Sequence, residues 1–186
     1  MLFRSYFGSL IQHNEEGCAL IQKVMGQRQS GTTVFCDLNL RPGFYGPGVI
    51  KTVLRDSDIL KLNQEEWLEI SGMSASETLN MEIMDQFMTA HDLKLIVLTL
   101  GSLGSQWITS EKSHSCPLFS LKKVVDTVGA GDAYAAISVA GWLKNLPIDT
   151  IMGLASEFAG HICGIKGALP ENERIYNDLR QRIQKR

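Results

Sequence analysis

No C-x-x-C pair occurs in this sequence: Cys18, Cys36, Cys116 and Cys163 are far apart, and His13, His91, His114 and His161 share no metal-ligand spacing with them or with each other. That scatter argues against a zinc site and a disulfide framework, and leaves buried thiols in a reducing cytosol as the expectation. A surplus of positive charge is missing too. Lys and Arg number 18 against 20 Asp and Glu, a formal net charge of −2, so nothing in the composition would neutralise a nucleic-acid backbone or an anionic membrane. Long apolar runs are absent: stretches such as Leu95 to Leu100 fall far short of the roughly 20 residues that cross a bilayer. The opening MLFRSYFGSLIQHNEEG has an early Arg but no apolar run of about 7–15 residues before a small-residue cleavage site, so no signal peptide is expected. There is no internal repeat, low-complexity tract or linker. For 186 residues, the expectation is one domain, 1–186, in a soluble cytoplasmic protein.

What is present is an alternation of β-rich and helical patterns, the signature of a mostly parallel sheet covered by helices. TTVFCDLNL (Thr32 to Leu40) reads as a buried strand and PGVIKTVLRDS as the helix after it. DILKLN reads as a strand and QEEWLEIS as a helix. Leu93 to Leu100 is the clearest buried strand, and SQWITS and HSCPLFS read as shorter strands leaning over the sheet. From Ala133 the apolar positions Ala136, Ile137, Ala140 and Leu143 recur at helical spacing. A second helix follows LPID, and a last amphipathic helix is expected from Pro170 to a basic end, QRIQKR, its charges forming a wet face. Trp67, Trp107 and Trp142 sit beside apolar runs and read as packing residues.

The chemistry concentrates in DTVGAGDAYAA, Asp126 to Ala136. A tight Gly-Ala-Gly turn at a helix start leaves backbone N–H groups uncovered where the helix dipole favours negative charge, which makes an anion hole. Gly129 and Gly131 let the chain approach an oxyanion that a Cβ would obstruct. A carboxylate at Asp132 would repel a phosphate there unless it works as a base on the attacking hydroxyl. Alone, G-x-G-D is equally a helix entry with a favourable first-turn acid, and Asp126 equally a turn residue. It is neither a Walker loop nor a dinucleotide fingerprint.

The longer string resembles the D-T-x-G-A-G-D signature of the ribokinase-like, or PfkB, carbohydrate kinases. CDLNLRP (Cys36 to Pro42), LNQEE with Asn63 and Glu66, TLGSLG (Thr99 to Gly104) and GIKGALP follow that family's order, with D-x-N-L-R-P leaning toward fructokinase-like and 2-keto-3-deoxygluconate kinase-like members. The resemblance implies a three-layer α/β/α fold, with ATP and Mg²⁺ as ligands and a sugar hydroxyl as acceptor. It makes Asp132 the catalytic base, and Gly129, Ala130 and Gly131 the anion hole for the γ-phosphate. Asn63 and Glu66 would organise phosphate and the water shell of Mg²⁺, while Thr99, Gly101 and Gly104 would form the loop under the nucleotide. Ser156 falls where some relatives contact adenine, and is equally a solvated helix position. Asp126, with the Val128 carbonyl, matches a monovalent-cation (K⁺) site of some members. Arg41 lies where a guanidinium would clamp the transferred phosphate, and equally reads as a surface charge at a strand end.

The same resemblance covers only the C-terminal, nucleotide-binding part of the family fold. It implies that the N-terminal strands, the sugar contacts and the β lid, which often forms a homodimer contact, are missing, leaving a bare sheet edge or apolar face. Three readings follow: a truncated ATP-dependent sugar kinase, a kinase of the same fold acting on a nucleoside or another small alcohol, or an inert nucleotide-binding remnant.

Overall fold

A computed structural model of the chain describes residues 4–73, 80–120, 123–171 and 173–184. Met1 to Phe3, and Lys185 and Arg186 at the expected basic end of the last helix, lie outside the described residues. The fold is α/β. Its backbone divides into two compact units, Met1–Thr99 with Trp107–Ser113, and Leu100–Gln106 with His114–Arg186.

The first unit repeats strand and helix: β1 (Arg4–Gly8), a 3-10 turn (Ser9–Gln12), α1 (Glu15–Gly26), β2 (Thr33–Asp37), α2 (Pro47–Asp56), β3 (Ile59–Asn63), α3 (Gln64–Ser71), α4 (Met81–Ala90) and β4 (Leu95–Thr99). Strands β1 to β4 pair in parallel, with Gly8 beside Asp37, Asp37 beside Lys61, Lys61 beside Val97 and Asn63 beside Thr99. Near-continuous apolar runs such as LIVL suit strands covered on both faces, and Val34, Ile59, Leu60, Leu62 and Leu95 to Leu98 are buried. Asparagine starts three of these helices: Asn14, Asn63 and Asn80 accept hydrogen bonds from the amides of Gly17, Glu66 and Glu82. Pro47 starts α2, where its missing N–H is harmless. At the amino ends of the strands, buried Asp58 accepts the Val34 amide at 2.8 Å and pairs with Arg28 at 2.5 Å and Lys94 at 2.8 Å.

In the second unit, α5 (Ala130–Leu143) packs along α6 (Ile148–Cys163). Gly141 permits the contact, because a Cβ there would lie 2.7 Å from Ile151 Cγ1. The Tyr134 hydroxyl donates to Ser105 Oγ at 2.7 Å within this core. Helix α7 (Arg174–Gln184) docks on α6 through a Phe158–Tyr176 ring contact and a two-pronged Arg182–Glu157 pair at 2.7 and 2.8 Å. Two short strands, β5 (Ser105–Ile108) and β6 (Ser113–Cys116), complete the sheet order β1-β2-β3-β4-β5-β6.

Several expectations need correction. The last helix starts at Arg174 rather than Pro170: its first carbonyl is that of Glu173, which accepts the Asn177 amide. Strands β5 and β6 extend the sheet instead of leaning over it, taking up hydrogen bonding beyond β4. Of the thiols, Cys36 alone is buried, and the other three are half-buried. Helices α1 and α4 were not anticipated, although Asn14-Glu15-Glu16 and Asn80 with Glu82 carry start signals.

Candidate functional site

The turn before α5 is fixed from three directions. Gly129, the residue preceding the helix, has φ 81° and ψ −5°, the left-handed region, and a Cβ on it would lie 2.5 Å from Ala168 Cβ. Glycine is therefore required both for the dihedral and for the close approach. Asp126 ties the turn down: Oδ1 accepts the Val128 amide and Oδ2 the Gly167 amide, both at 3.1 Å. The Val125 amide donates to the Cys163 carbonyl at 2.8 Å. Helix α5 has no side-chain cap at its start. The Ala130 amide turns back to the Thr127 carbonyl at 3.3 Å, whereas those of Gly129, Gly131 and Asp132 meet no acceptor among the described residues. Open amides at a helix start suit an anion. Asp132 stands third in α5, exposed, with no partner among the described residues.

The hydrogen bonds from the Val128 and Gly167 amides, and then Lys166 nearby, hold the Asp126 carboxyl below its ordinary value. A depressed folded value means that the tether is intact above the ordinary carboxylate range and is lost as pH falls below it, through the lowered folded value. Amide exchange at Gly167 is expected to stay slow near neutral pH, relative to an Asp126→Asn variant, and to lose that margin only on acidification below about pH 4. Equal exchange in the two proteins at neutral pH would refute the tether.

In the first unit, Glu66 is the centre of a second arrangement. It is 8% exposed, and both carboxylate oxygens are engaged: Oε2 accepts the Asn63 amide and Oε1 the Leu40 amide, each at 2.8 Å, while Asn63 Oδ1 accepts the Glu66 amide at 2.9 Å. This is a reciprocal capping box on α3 that also pins the segment after β2. Each oxygen keeps lone-pair capacity for a water. That fits the expected role behind a metal's water shell and not direct ligation. No group of three or more His, Cys, Asp or Glu among the described residues is arranged to hold a metal. Arg41 is exposed, in the turn after β2; its carbonyl accepts the Phe44 amide at 2.9 Å, and its side chain has no partner among the described residues.

Thr99 belongs to the first unit, and Gly101 and Gly104 to the second. Thr99 closes β4, its hydroxyl donating to the Leu62 carbonyl at 3.4 Å. Gly101 and Gly104 have φ of 57° and 90°. A Cβ on Gly104 would lie 2.2 Å from the Cys116 carbonyl oxygen, whereas nothing lies within 4 Å of one on Gly101. Gly104 thus answers to packing and Gly101 to backbone shape. Ser156 is not a solvated helix position: it is buried, donates to the Pro117 carbonyl at 3.2 Å and accepts the Phe119 amide at 2.9 Å. Its hydroxyl fixes the segment after β6 against α6. Sequence reasoning missed the Leu40 and Gly167 amides and the buried pair of Asp37 and Lys61, 2.8 Å apart. Only Asn63-x-x-Glu66, a capping-box pattern, carried a readable signal.

The family profile described as pfkB family carbohydrate kinase matches residues 6–174. The chain is 28% identical over 138 residues to the fructokinase of Rhizobium leguminosarum bv. trifolii, which covers 70% of this chain and 39% of that protein. Its structure is similar to adenosine kinase from Sinorhizobium meliloti, with a TM-score of 0.79 at 22% identity over 96% of this chain and 54% of that one. A fructokinase of Vibrio cholerae O395, in fructose, ADP and potassium ion bound form, gives a TM-score of 0.73 at 23% identity over 96% of this chain and 61% of that one. The chain spans less than half the length of the curated relatives it matches. Among the described residues, no helix is long and apolar enough to cross a membrane.

Proposed function

The chain belongs to the pfkB family of carbohydrate kinases, and from that membership we propose that it carries the ATP-binding and phosphoryl-transfer part of a fructokinase-like cytoplasmic enzyme. Asp132 takes the proton from the attacking sugar hydroxyl, and the open amides of Gly129, Gly131 and Asp132 hold the charge that develops on the transferred phosphoryl group. Arg41 adds a clamp of opposite charge. Asn63 and Glu66 order the phosphate and water shell, and the segment from Thr99 through Gly101 to Gly104 lies under the nucleotide. Mg²⁺ bound with the nucleotide would neutralise charge on its phosphate oxygens. Asp126 is a candidate K⁺ ligand, which the potassium in the Vibrio cholerae fructokinase supports.

The observation that carries this reading is the unpartnered, exposed Asp132 beside amides with no acceptor among the described residues, on a turn whose glycine is enforced by Ala168. The test is calorimetric titration with a non-hydrolysable ATP analogue and Mg²⁺, after circular dichroism has established folding. Saturable binding that weakens in Gly131→Val is the expected result. A folded chain that binds no nucleotide would overturn the reading and favour an inert remnant.

A further inference from the structure

Helix α1 is held to the sheet by little. Ile21 is its one buried residue, whereas Leu20 and Val24, a turn apart, are 51% and 43% exposed. Two aliphatic side chains at i and i+4 make a continuous stripe, which is unfavourable to leave in water. The strand before the helix is equally open. Among the described residues β1 pairs with β2 alone, so its other side presents the hydrogen-bonding groups of an edge strand. Tyr6, the middle residue of β1, is 53% exposed, although its ring stacks on Phe35 with centroids 5.8 Å apart.

The two features face the same way. Helix α1 joins β1 to its parallel neighbour β2, and such crossovers are right-handed, which stands the helix over the gap between the two strands and running against them. With Ile21 turned to the sheet, the right-handed winding of α1 carries Leu20 and Val24 to the flank above the open side of β1. A second chain added antiparallel on that side would bring its own α1 alongside. Strands lie about 4.8 Å apart and each α1 stands about half a spacing inside its own β1, so the two helix axes would be roughly 10 Å apart, the distance of packed helices.

This edge is complementary to itself. Centred on Tyr6, RSYFG pairs with a copy of itself over its whole length, Tyr6 beside the partner's Tyr6. Reversed about Leu20, α1 sets its first-turn acids Glu15 and Glu16 against the partner's Lys23 in the last turn, and Leu20 against the partner's Leu20. A surface whose charges and apolar stripe match their own copy is suited to an isologous two-fold contact.

We propose that β1 and α1 form a two-fold interface between copies of this chain, in which the sheet continues from β1 into the partner's β1 while Leu20 and Val24 close over the seam. None of these residues belongs to the candidate site, so the contact is independent of the nucleotide-binding reading.

Sedimentation equilibrium tests it, with circular dichroism on each sample to establish folding. Wild type is expected to be a reversible dimer, more than half associated at about 50 μM. Leu20→Lys places two ammonium groups at the axis, at a position exposed in the single chain, and should weaken the dimer about tenfold or more. Glu16→Lys and Lys23→Glu should each weaken self-association several-fold, and an equimolar mixture of the two should recover it, because unlike protomers restore both opposite-charge pairs. A merely structural role for these side chains would not produce recovery in the mixture. Wild type that stays monomeric to about 200 μM overturns the inference and leaves an unlike chain as the occupant of the edge. A dimer that all three variants leave unchanged, or assemblies larger than two, also overturn it, because association then runs through another surface.

Discussion

Asp132→Asn is expected to lower phosphoryl transfer to a sugar hydroxyl by about 10²–10⁴-fold while leaving nucleotide affinity within about twofold. The substitution keeps the shape and the position in the first turn of α5, where the side chain is exposed and meets no partner among the described residues. No folding contact is lost, so no stability change should confuse the result. What disappears is a group that can take a proton. The local field changes in the opposite sense, since removing a negative charge beside open amides should help an anion bind. Slower turnover with equal or tighter ADP binding is therefore the signature of a base, and a coupled ADP-release assay with calorimetry on the same samples reads both. Residual turnover above about a tenth of wild type would remove Asp132 from that role.

Glu66→Ala should have the largest effect on stability, about 3–5 kcal/mol. Two charge-assisted bonds to backbone amides are lost together, each worth about 1.5–3 kcal/mol, from a side chain that is 8% exposed. For a chain of this size each kcal/mol moves the thermal midpoint by about 2–4 °C, so a drop near 10 °C is expected in a calorimetric melt. Glu66→Gln keeps one acceptor but turns an NH₂ toward one of the two amides, and should fall between wild type and Ala. A melt within about 2 °C of wild type for Glu66→Ala would show that water satisfies the Leu40 and Asn63 amides as well as the carboxylate does. The capping box and the proposed site share one group: the glutamate proposed to order phosphate and water also holds the segment after β2 to the start of α3.

The elements legible in the sequence were those whose signal is local. QEEWLEIS is helical over its whole length as α3, and the runs TVFCD, ILKLN and LIVLT are the buried strands β2, β3 and β4. Helices α1 and α4 were not read because their apolar faces are interrupted: Leu20 and Val24 of α1 and Met81 of α4 are exposed. The start of α7 was misplaced because Pro170 is a good first helical residue, whereas the helical hydrogen bonding begins only at Glu173. The glycines and carboxylates of the candidate site were visible as a string, but their partners were not. That Gly129 answers to Ala168, Asp126 to Gly167, Glu66 to Leu40 and Lys61 to Asp37 are facts of chain crossing, between residues 24 to 41 positions apart. Ser156 shows the same limit: nothing nearby in sequence tells that its hydroxyl belongs to Pro117 and Phe119.

The turn before α5 owes its shape to a stretch that does none of its chemistry. Residues 163–168 receive the Val125 amide, give the Gly167 amide to Asp126, and stand against Gly129 so closely that no side chain fits. Residues 163–168 therefore act as a mould, and the turn as its casting. Inheritance at this site is thus two-part: a lineage can keep every residue of DTVGAGD and still lose the shape, if the GIKGALP segment drifts or is nicked.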